Sequence, residues 1–303
     1  MQRDAFILER LAYPTEAVDA VLDTDAFNEV DDQFALSYLL RSEEHVRLHA
    51  VYAAPFFNER STGPADGMEK SYREIGKVLD LCGRADMHGA VYRGATGYLP
   101  DGETPVGSPA VEDLIARGMA QPEDRPLYVI GIACLTNIAS ALLLEPRLRD
   151  KIVVVWLGGH AHHWPQAEEF NLRQDVAAAQ VVFDCGVPLV QVPCFGVATH
   201  LTVSPAELRE RMVGKNALCD YLAGMVLEDG RRQGQRAWTR VLWDVAAAAW
   251  VVRRSLTEDL TVPAPVPMTG GLYARPAGRH PIRCVHYVSR DGILTDMFTK
   301  LAR

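Results

Sequence analysis

The stretch Val18-Asp-Ala-Val-Leu-Asp-Thr-Asp-Ala-Phe-Asn-Glu-Val-Asp-Asp32 determines how the chain begins to fold. Residues 18–23 are mostly apolar, which predicts a buried strand. Residues 32–40 follow an acidic turn and have a helical pattern. A buried strand followed at once by a helix is the repeating unit of a parallel sheet covered by helices. We therefore expect an α/β fold.

The same alternation continues along the chain. Apolar segments predict further strands at residues 46–53, 126–131, 151–157 and 187–192. Helical patterns lie at residues 69–81, 137–144 and 176–183. Together they predict a mostly parallel central sheet with helices on both faces, in a Rossmann-like open arrangement.

The last third of the chain has a different pattern. Residues 200–253 are predicted to be largely helical, residues 262–267 a proline-rich loop, and residues 282–289 a late edge strand. No Ser/Gly linker, low-complexity segment or internal repeat interrupts the sequence. We expect a single domain over residues 1–303, with the helical segments at about 200–255 forming part of an active-site cap.

Composition restricts the classes of partner. The chain has 303 residues, 48% hydrophobic and 23% charged, with a net charge of −8, as in ordinary globular proteins. No basic patch with aromatic residues predicts nucleic-acid binding, and no apolar run is long enough to cross a membrane. The N-terminus is interrupted by charge too early for a secretory signal, and the six scattered cysteines include no CxxC pair. We expect a cytoplasmic protein with reduced cysteines.

The acidic turn is the main chemical feature of the sequence. Residues 23–32 contain four aspartates and one glutamate. Like charges at this density repel one another unless a cation neutralises them, and hard divalent ions prefer carboxylate and carbonyl oxygens. Asp31 and Asp32 could instead be the N-cap and a first-turn acid of the following helix, but this explains only two of the five acids. The turn therefore predicts a divalent metal site.

Other polar residues also follow predicted strands: Asn58, Thr136, Asn137 and the Gly158-Gly159-His160 turn. In open α/β sheets ligands bind beyond the carboxyl ends of the strands, so these residues are expected to share one rim with the acidic turn. An Asp-x-Asp pair after a strand is also found in haloacid-dehalogenase-type phosphatases. The residues that follow Asp25, namely Asn28, Glu29 and an early Asp31-Asp32 pair, do not fit that pattern.

The acidic turn resembles that of the inosine–uridine-preferring nucleoside hydrolases, whose hallmark is Asp-x-Asp-Pro-Gly-x-Asp-Asp. Here Ala26-Phe-Asn-Glu-Val30 replaces Pro-Gly-x and is two residues longer. Further blocks similar to the family's occur in the same order: Leu135-Thr-Asn-Ile-Ala139, Gly158-Gly159, Ala167-Glu-Glu-Phe-Asn171, Asp175-Val-Ala-Ala178 and Trp243-Asp-Val-Ala246. The resemblance covers roughly residues 18–300 and implies the nucleoside hydrolase fold.

The resemblance implies a calcium ion held by Asp25, Asp32, the backbone carbonyl of Thr136 and Asp244. Asp25 would act as the general base that takes a proton from a metal-activated water. That water would attack the anomeric carbon of a ribosyl group while positive charge develops on the sugar ring, which acidic surroundings stabilise.

Ribose recognition is assigned by the same matching to Asp31, Asn58, Glu169 and Asn171. Carboxylates and amides suit adjacent hydroxyl groups because they accept or donate paired hydrogen bonds. The longer loop adds Asn28 and Glu29 as candidates near the metal or the sugar. Asn58 could also be a simple turn residue, and Asp175 is better explained as the N-cap of the helix that follows it.

Two positions depart from the family's pattern. His163 falls where a ribose-contacting Asn is usual, in a segment that also contains His160 and His162. These histidines could bind a transition metal, although a contact with the sugar or leaving group is the better explanation. Trp243 replaces the His associated with protonation of the leaving base, and could stack on an aromatic base or pack at a helix start. The family contacts the base in the helical region that here contains Tyr221, Trp238 and Arg240.

We therefore expect calcium-dependent hydrolysis of the N-glycosidic bond of a ribonucleoside, with release of ribose and base. The alternatives are a hydrolase of a non-standard riboside and a non-catalytic protein that binds nucleosides or sugars. By analogy with the family, we expect a homodimer or homotetramer.

Overall fold

A computed structural model describes residues 2–232, 234 and 237–303. The strands in this part of the chain are β1 Val18–Thr24, β2 Val46–Ala53, β3 Val91–Arg93, β4 Leu127–Gly131, β5 Ile152–Leu157, β6 Leu189–Val192, β7 Thr202–Val203, β8 Arg240–Val241, β9 Thr257–Pro263, β10 Val266–Met268, β11 Leu272–Ala274 and β12 Pro281–Val288. Eight of them form the central sheet, in the order β3-β2-β1-β4-β5-β6-β12-β9. Every pairing in this sheet is parallel except that of β9 with β12.

Helices cover both faces of the sheet. They are α1 Gln2–Arg10, α2 Asp32–Leu40, α3 Pro64–Leu81, α4 Pro109–Met119, α5 Thr136–Leu144, α6 Phe170–Gln174, α7 Val176–Asp184, α8 Pro205–Arg211, α9 Ala217–Arg232, α10 Val245–Val252 and α11 Arg290–Leu301. One hydrophobic cluster includes α2, α10 and α11, and a second includes α4, α5 and α7. Strands β4 and β5 are buried along their whole length because they lie between these two layers.

The predicted α/β class with a mostly parallel sheet is confirmed. The helix predicted at residues 69–81 begins earlier, at Pro64, whose fixed φ suits the first turn of a helix. Four α-helices were not predicted: α1, α4, α6 and α11. Within the segment 200–255, α10 is buried at every residue and packs against α2, so this helix belongs to the core.

The prediction for the end of the sheet was wrong in two respects. Residues 262–267, expected to be a loop, include the end of β9 and the start of β10. The strand expected at the edge, β12, lies between β6 and β9, and β9 is the edge strand. The polar sequence of β9 concealed it because an exposed edge strand needs no continuous apolar run.

All six cysteines are free and five of them are buried, as expected for reduced cysteines. None of the helices in the described residues is long and apolar enough to cross a membrane. The carboxyl ends of β1, β4 and β5 are adjacent in the sheet, and β2 lies on the other side of β1. The turns that leave these strands form the rim on which the polar residues gather.

Candidate active site

Three buried aspartates meet at this rim. Carboxylate oxygens of Asp31, Asp32 and Asp244 lie within 4.8 Å of one another. Asp31 and Asp32 belong to the turn between β1 and α2, whereas Asp244 directly precedes α10. The packing of α2 against α10 joins the two segments, and the backbone N–H of Asp244 donates to Oδ2 of Asp31 at 3.3 Å. The fold therefore concentrates negative charge where two helices begin.

Asp25 adds a fourth buried carboxylate, immediately after β1. Its Oδ2 is buried and has no hydrogen-bond partner among the residues that the structure describes. Burial, together with the charges of Asp32 and Glu29, raises the pKa of Asp25 well above its ordinary value. A buried carboxylate oxygen without a partner is costly unless a proton or a cation satisfies it.

The other acids have raised pKa values for the same reasons. Burial raises the pKa of Asp32 to about 6, although Thr24 Oγ1 donates a hydrogen bond to it at 2.6 Å. Burial and the neighbouring charges of Glu29 and Asp32 raise the pKa of Asp31. Burial and the charges of Asp31 and Asp32 raise that of Asp244. The cluster thus favours either protons or a cation at neutral pH.

The acids form one side of a pocket of about 230 Å³. Its lining includes eight residues that the sequence predicted: Asp25, Asn28, Asp31, Asp32, Glu169, Asn171, Trp243 and Asp244. Glu29 and His160, which the sequence also marked, line it too. The structure does not bring Thr136, Asn58 or His163 into this lining.

Asn58 and His163 lie outside the pocket for different reasons. Asn58 Nδ2 donates to Oδ1 of Asn28 at 2.6 Å, so Asn58 holds a lining residue in place. His163 is exposed in the turn after β5, next to Trp164. The three histidines do not gather as a metal site would require, because His160 is buried in the pocket wall and His162 contacts Gln191.

Thr136 and Asn137 lie outside the pocket lining and form hydrogen bonds to two aspartates near the rim. Thr136 begins α5, and its hydroxyl donates to Oδ2 of Asp175 at 2.6 Å. Asn137 Nδ2 donates to Oδ1 of Asp23 at 2.8 Å. Asp175 in turn caps α7 through the N–H of Ala178, which is the role expected for it from the sequence. The backbone carbonyl of Thr136 is part of a helix, where carbonyls point along the helix axis and not into the pocket.

Ile132, which was not predicted from the sequence, lines the pocket directly after β4. The Ile132 N–H donates to the Asp23 carbonyl at 2.8 Å, which places Ile132 beside the end of β1. Its own carbonyl accepts from Asn171 Nδ2 at 3.4 Å. A residue that offers only its backbone carbonyl to a pocket cannot be recognised from the type of its side chain. Its position immediately after a central strand was the only available signal.

Glu169 and Asn171 are both bound to backbone groups. The Glu169 carboxylate accepts from the N–H groups of Gly159, Asn171 and Leu172 at 2.9, 2.9 and 3.0 Å. It thereby caps α6 and fixes the turn after β5. Asn171 Nδ2 also donates to the Leu157 carbonyl at 3.2 Å. These bonds give both side chains a fixed orientation in the pocket wall.

Aromatic rings also line the pocket, and we call His160, Phe195 and Trp243, together with Trp164, the aromatic wall; Trp164 packs on Phe195 outside the lining. The Phe195 ring lies 4.5 Å from the His160 ring, 5.9 Å from the Trp164 ring and 5.6 Å from the Trp243 ring, between centroids. Phe195, which the sequence did not single out, is 40% exposed at the centre of this group. Such a surface suits a flat apolar ring.

The helical region reaches the acidic turn through Arg240. Its Nη2 donates to Oε2 of Glu29 at 2.7 Å, and its Nη1 donates to Asp229 at 3.2 Å. Tyr221 contacts Glu74, and Trp238 packs against Gly230. None of Tyr221, Trp238 and Arg240 lines the pocket, so the link to the extended loop is the ion pair between Arg240 and Glu29.

Comparison with known proteins identifies the family. Residues 20–279 match the family model described as inosine-uridine preferring nucleoside hydrolase. The chain belongs to this family.

Among curated relatives, the inosine-uridine preferring nucleoside hydrolase of Leishmania major is 25% identical over 189 residues, which is 61% of this chain and 60% of the relative. The pyrimidine-specific ribonucleoside hydrolase RihA of Escherichia coli O81 (strain ED1a) is 32% identical over 146 residues, 40% of this chain and 46% of the relative. The matched segment thus spans only about half of each relative's length.

Solved structures of nucleoside hydrolases share the whole fold. The plant nucleoside hydrolase PpNRh1 has a TM-score of 0.76 at 19% identity, covering 95% of this chain and 99% of that one. The purine-preferring ribonucleoside hydrolase from Gardnerella vaginalis has a TM-score of 0.73 at 20% identity, covering 94% and 98%. The predicted family and fold are therefore confirmed.

The raised pKa of Asp32 predicts how stability depends on pH. Since this pKa rises from 3.8 to about 6 on folding, the folded protein binds more protons between these values, and its free energy of unfolding falls as the pH rises through this window. In EDTA, Asp32→Asn should therefore be stabilised relative to wild type, by on the order of 1–3 kcal/mol, at pH 7 but not at pH 4. Urea unfolding at the two pH values measures this, and an unchanged difference would contradict it.

Gly159 predicts a second stability effect. Its φ is +66°, and a Cβ at this position would lie 1.9 Å from Tyr273 Oη. Gly159→Ala should lower the free energy of unfolding by about 2 kcal/mol or more, because strain and overpacking add. Gly83→Ala is the matched control, since Gly83 has a φ of +70° and open space around it. Equal losses in urea unfolding would mean that the contact with Tyr273 is unimportant.

Proposed function

We propose that this protein hydrolyses the N-glycosidic bond of a ribonucleoside with the help of a divalent cation, which we expect to be calcium. The observation that carries the proposal is the group of four buried carboxylates, Asp25, Asp31, Asp32 and Asp244, in a pocket that aromatic rings also line. This combination suits a ligand with a hydroxyl-rich half and a flat ring. Membership of the family supports the same activity.

The donor set fits a hard cation. Asp25, Asp32 and Asp244 supply carboxylate oxygens, and we propose the Ile132 carbonyl as the backbone ligand in place of Thr136. The closeness of Asp31 to Asp32 and Asp244 makes it a further neighbour of the ion. Oxygen-only sites of this kind favour calcium or magnesium over transition metals. When bound, such an ion neutralises the cluster and makes a coordinated water more acidic.

Asp25 is our candidate general base. It follows the central strand β1 directly, and its Oδ2, which has no hydrogen-bond partner among the described residues, is available to take a proton from the attacking water. The ribose hydroxyls would be bound by Asn28, Asp31, Glu169 and Asn171, with Asn58 acting through Asn28. Negative charge around the sugar favours the positive charge that develops on the ring as the bond breaks.

The aromatic wall would hold the base. Trp243 and Phe195 provide ring faces for stacking. Trp243 stands where the family pattern has His beside the last aspartate. The names of the relatives include inosine-uridine preferring, pyrimidine-specific and purine-preferring enzymes, so they support no single base for this chain. The cytoplasmic location and the homodimer or homotetramer stay predictions.

Turnover of nucleosides tests the proposal directly. Inosine, adenosine, guanosine, uridine and cytidine, each with 1 mM calcium chloride or with EDTA, should give calcium-dependent release of base for at least one of the five. Asp25→Asn should lower kcat on that substrate by about 10³-fold, the effect expected from loss of a general base. Asp291→Asn, whose side chain is 88% exposed on α11, is the control and should leave kcat unchanged.

The proposed function and its two alternatives predict different outcomes. No release of base from any of the five nucleosides with calcium present would contradict the proposal. Binding of ribose without turnover would then support a non-catalytic protein. Release of another aglycone would support a hydrolase of a non-standard riboside.

A further inference from the structure

His160 is a pocket residue for which the family resemblance supplies no role. It follows the Gly158-Gly159 turn after β5, lines the pocket and is only 2% exposed. Its Nδ1 accepts a hydrogen bond from the backbone N–H of Phe195 at 3.3 Å, and the two rings lie 4.5 Å apart. These contacts fix the plane of the imidazole at the aromatic side of the pocket.

The contact with Phe195 determines where the imidazole proton lies. A ring nitrogen that accepts a hydrogen bond carries no proton, so the proton of a neutral imidazole must be on Nε2. Burial lowers the pKa of His160, which favours the neutral ring near pH 7. Nε2 is buried and has no partner among the described residues. An unpaired buried donor is costly, and a bound ligand is a common partner for one.

The position of His160 indicates which part of a ligand it would meet. Its ring packs on Phe195, and Phe195 packs on Trp243, so His160 belongs to the aromatic part of a pocket that the four aspartates also line. On the proposed function, the ribose lies at the aspartates and the aglycone lies at the aromatic wall. His160 is therefore on the side of the leaving group.

We propose that His160 donates a hydrogen bond from Nε2 to an acceptor atom of the departing base. This rests on the proposed function. As the bond between C1′ and the base nitrogen breaks, its electron pair stays with the base, while water forms the new C1′–O bond and gives a proton to Asp25. The His160 N–H keeps its proton and stabilises the negative charge on the base, which takes a proton from solvent on release. Such a neutral donor assists departure of the base, which Trp243 cannot do by giving up a proton.

The test compares two leaving groups in two variants. His160→Phe keeps an aromatic ring without a donor, and His160→Gln places an amide N–H near the position of Nε2. On the best nucleoside of the panel, His160→Phe should lower kcat by about tenfold to hundredfold, and His160→Gln should restore most of it. On 4-nitrophenyl β-D-ribofuranoside, whose leaving group needs little assistance, both variants should stay within about threefold of wild type. His286→Gln, an exposed change on β12, is the control.

The outcomes separate this inference from the proposed function. If wild type hydrolyses neither the nucleosides nor the nitrophenyl riboside, the proposed function fails. If wild type is active and His160→Phe affects both substrates equally, or neither, the role of His160 is overturned. Thermal unfolding of each variant identifies loss of folding.

A direct measurement of the proton position needs no turnover. In protein with ¹⁵N-labelled histidine, the ring signals that disappear in His160→Gln belong to His160. We expect the Nε2–H form near pH 7, and a shift of this signal when ribose and the released base are added together. A proton on Nδ1, or a charged ring, would overturn the inference whatever the substrate is.

Discussion

Repulsion among buried carboxylates is the constraint on which the rest of this structure depends. Asp25, Asp31, Asp32 and Asp244 are each at most 5% exposed, and the charges of Asp25, Asp31 and Asp32 each raise the pKa of another member of the group. Such a cluster opposes folding unless the surrounding core is large. The fold places it between the end of a central strand and the starts of two buried helices, α2 and α10, where the backbone cannot move apart to relieve the repulsion. A bound cation would neutralise this fixed group of charges.

The hydrogen bonds around the carboxylate cluster also hold its neighbouring residues in place. Thr136, Asn137 and Glu169 use their polar groups on Asp175, Asp23 and backbone N–H groups, at distances from 2.6 to 3.0 Å. Thr136 and Asn137 therefore position the site without lining it, whereas the bonds to Glu169 fix a carboxylate that lines the pocket. A site that must hold several like charges at fixed distances needs such neighbours, since each free rotation of a carboxylate would weaken binding of the ion.

The sequence predicted the central sheet well because strands buried on both faces are continuous apolar runs, as in β4 and β5. It failed at β9, where an exposed edge strand leaves no such pattern, and at the order of β9 and β12, which is decided by tertiary pairing. In the site, most of the acids could be recognised from the sequence because Asp25, Glu29, Asp31 and Asp32 lie in one short turn. Ile132 was not, because a backbone carbonyl is independent of the side chain. Phe195 was not, because only the fold brings the residue after β6 to the acids.

The two halves of the pocket therefore differ in how they are encoded. The acidic half comes mostly from one continuous turn, so its chemistry can be recognised from a motif even where that motif is two residues longer than usual. The aromatic wall is assembled from three separate segments, after β5, after β6 and before α10. A change in any one of the three alters the ring surface without touching an aspartate. Relatives with one family pattern and different base preferences are what such an arrangement permits. On the proposed function, we expect the base accepted by this protein to depend on His160, Phe195 and Trp243.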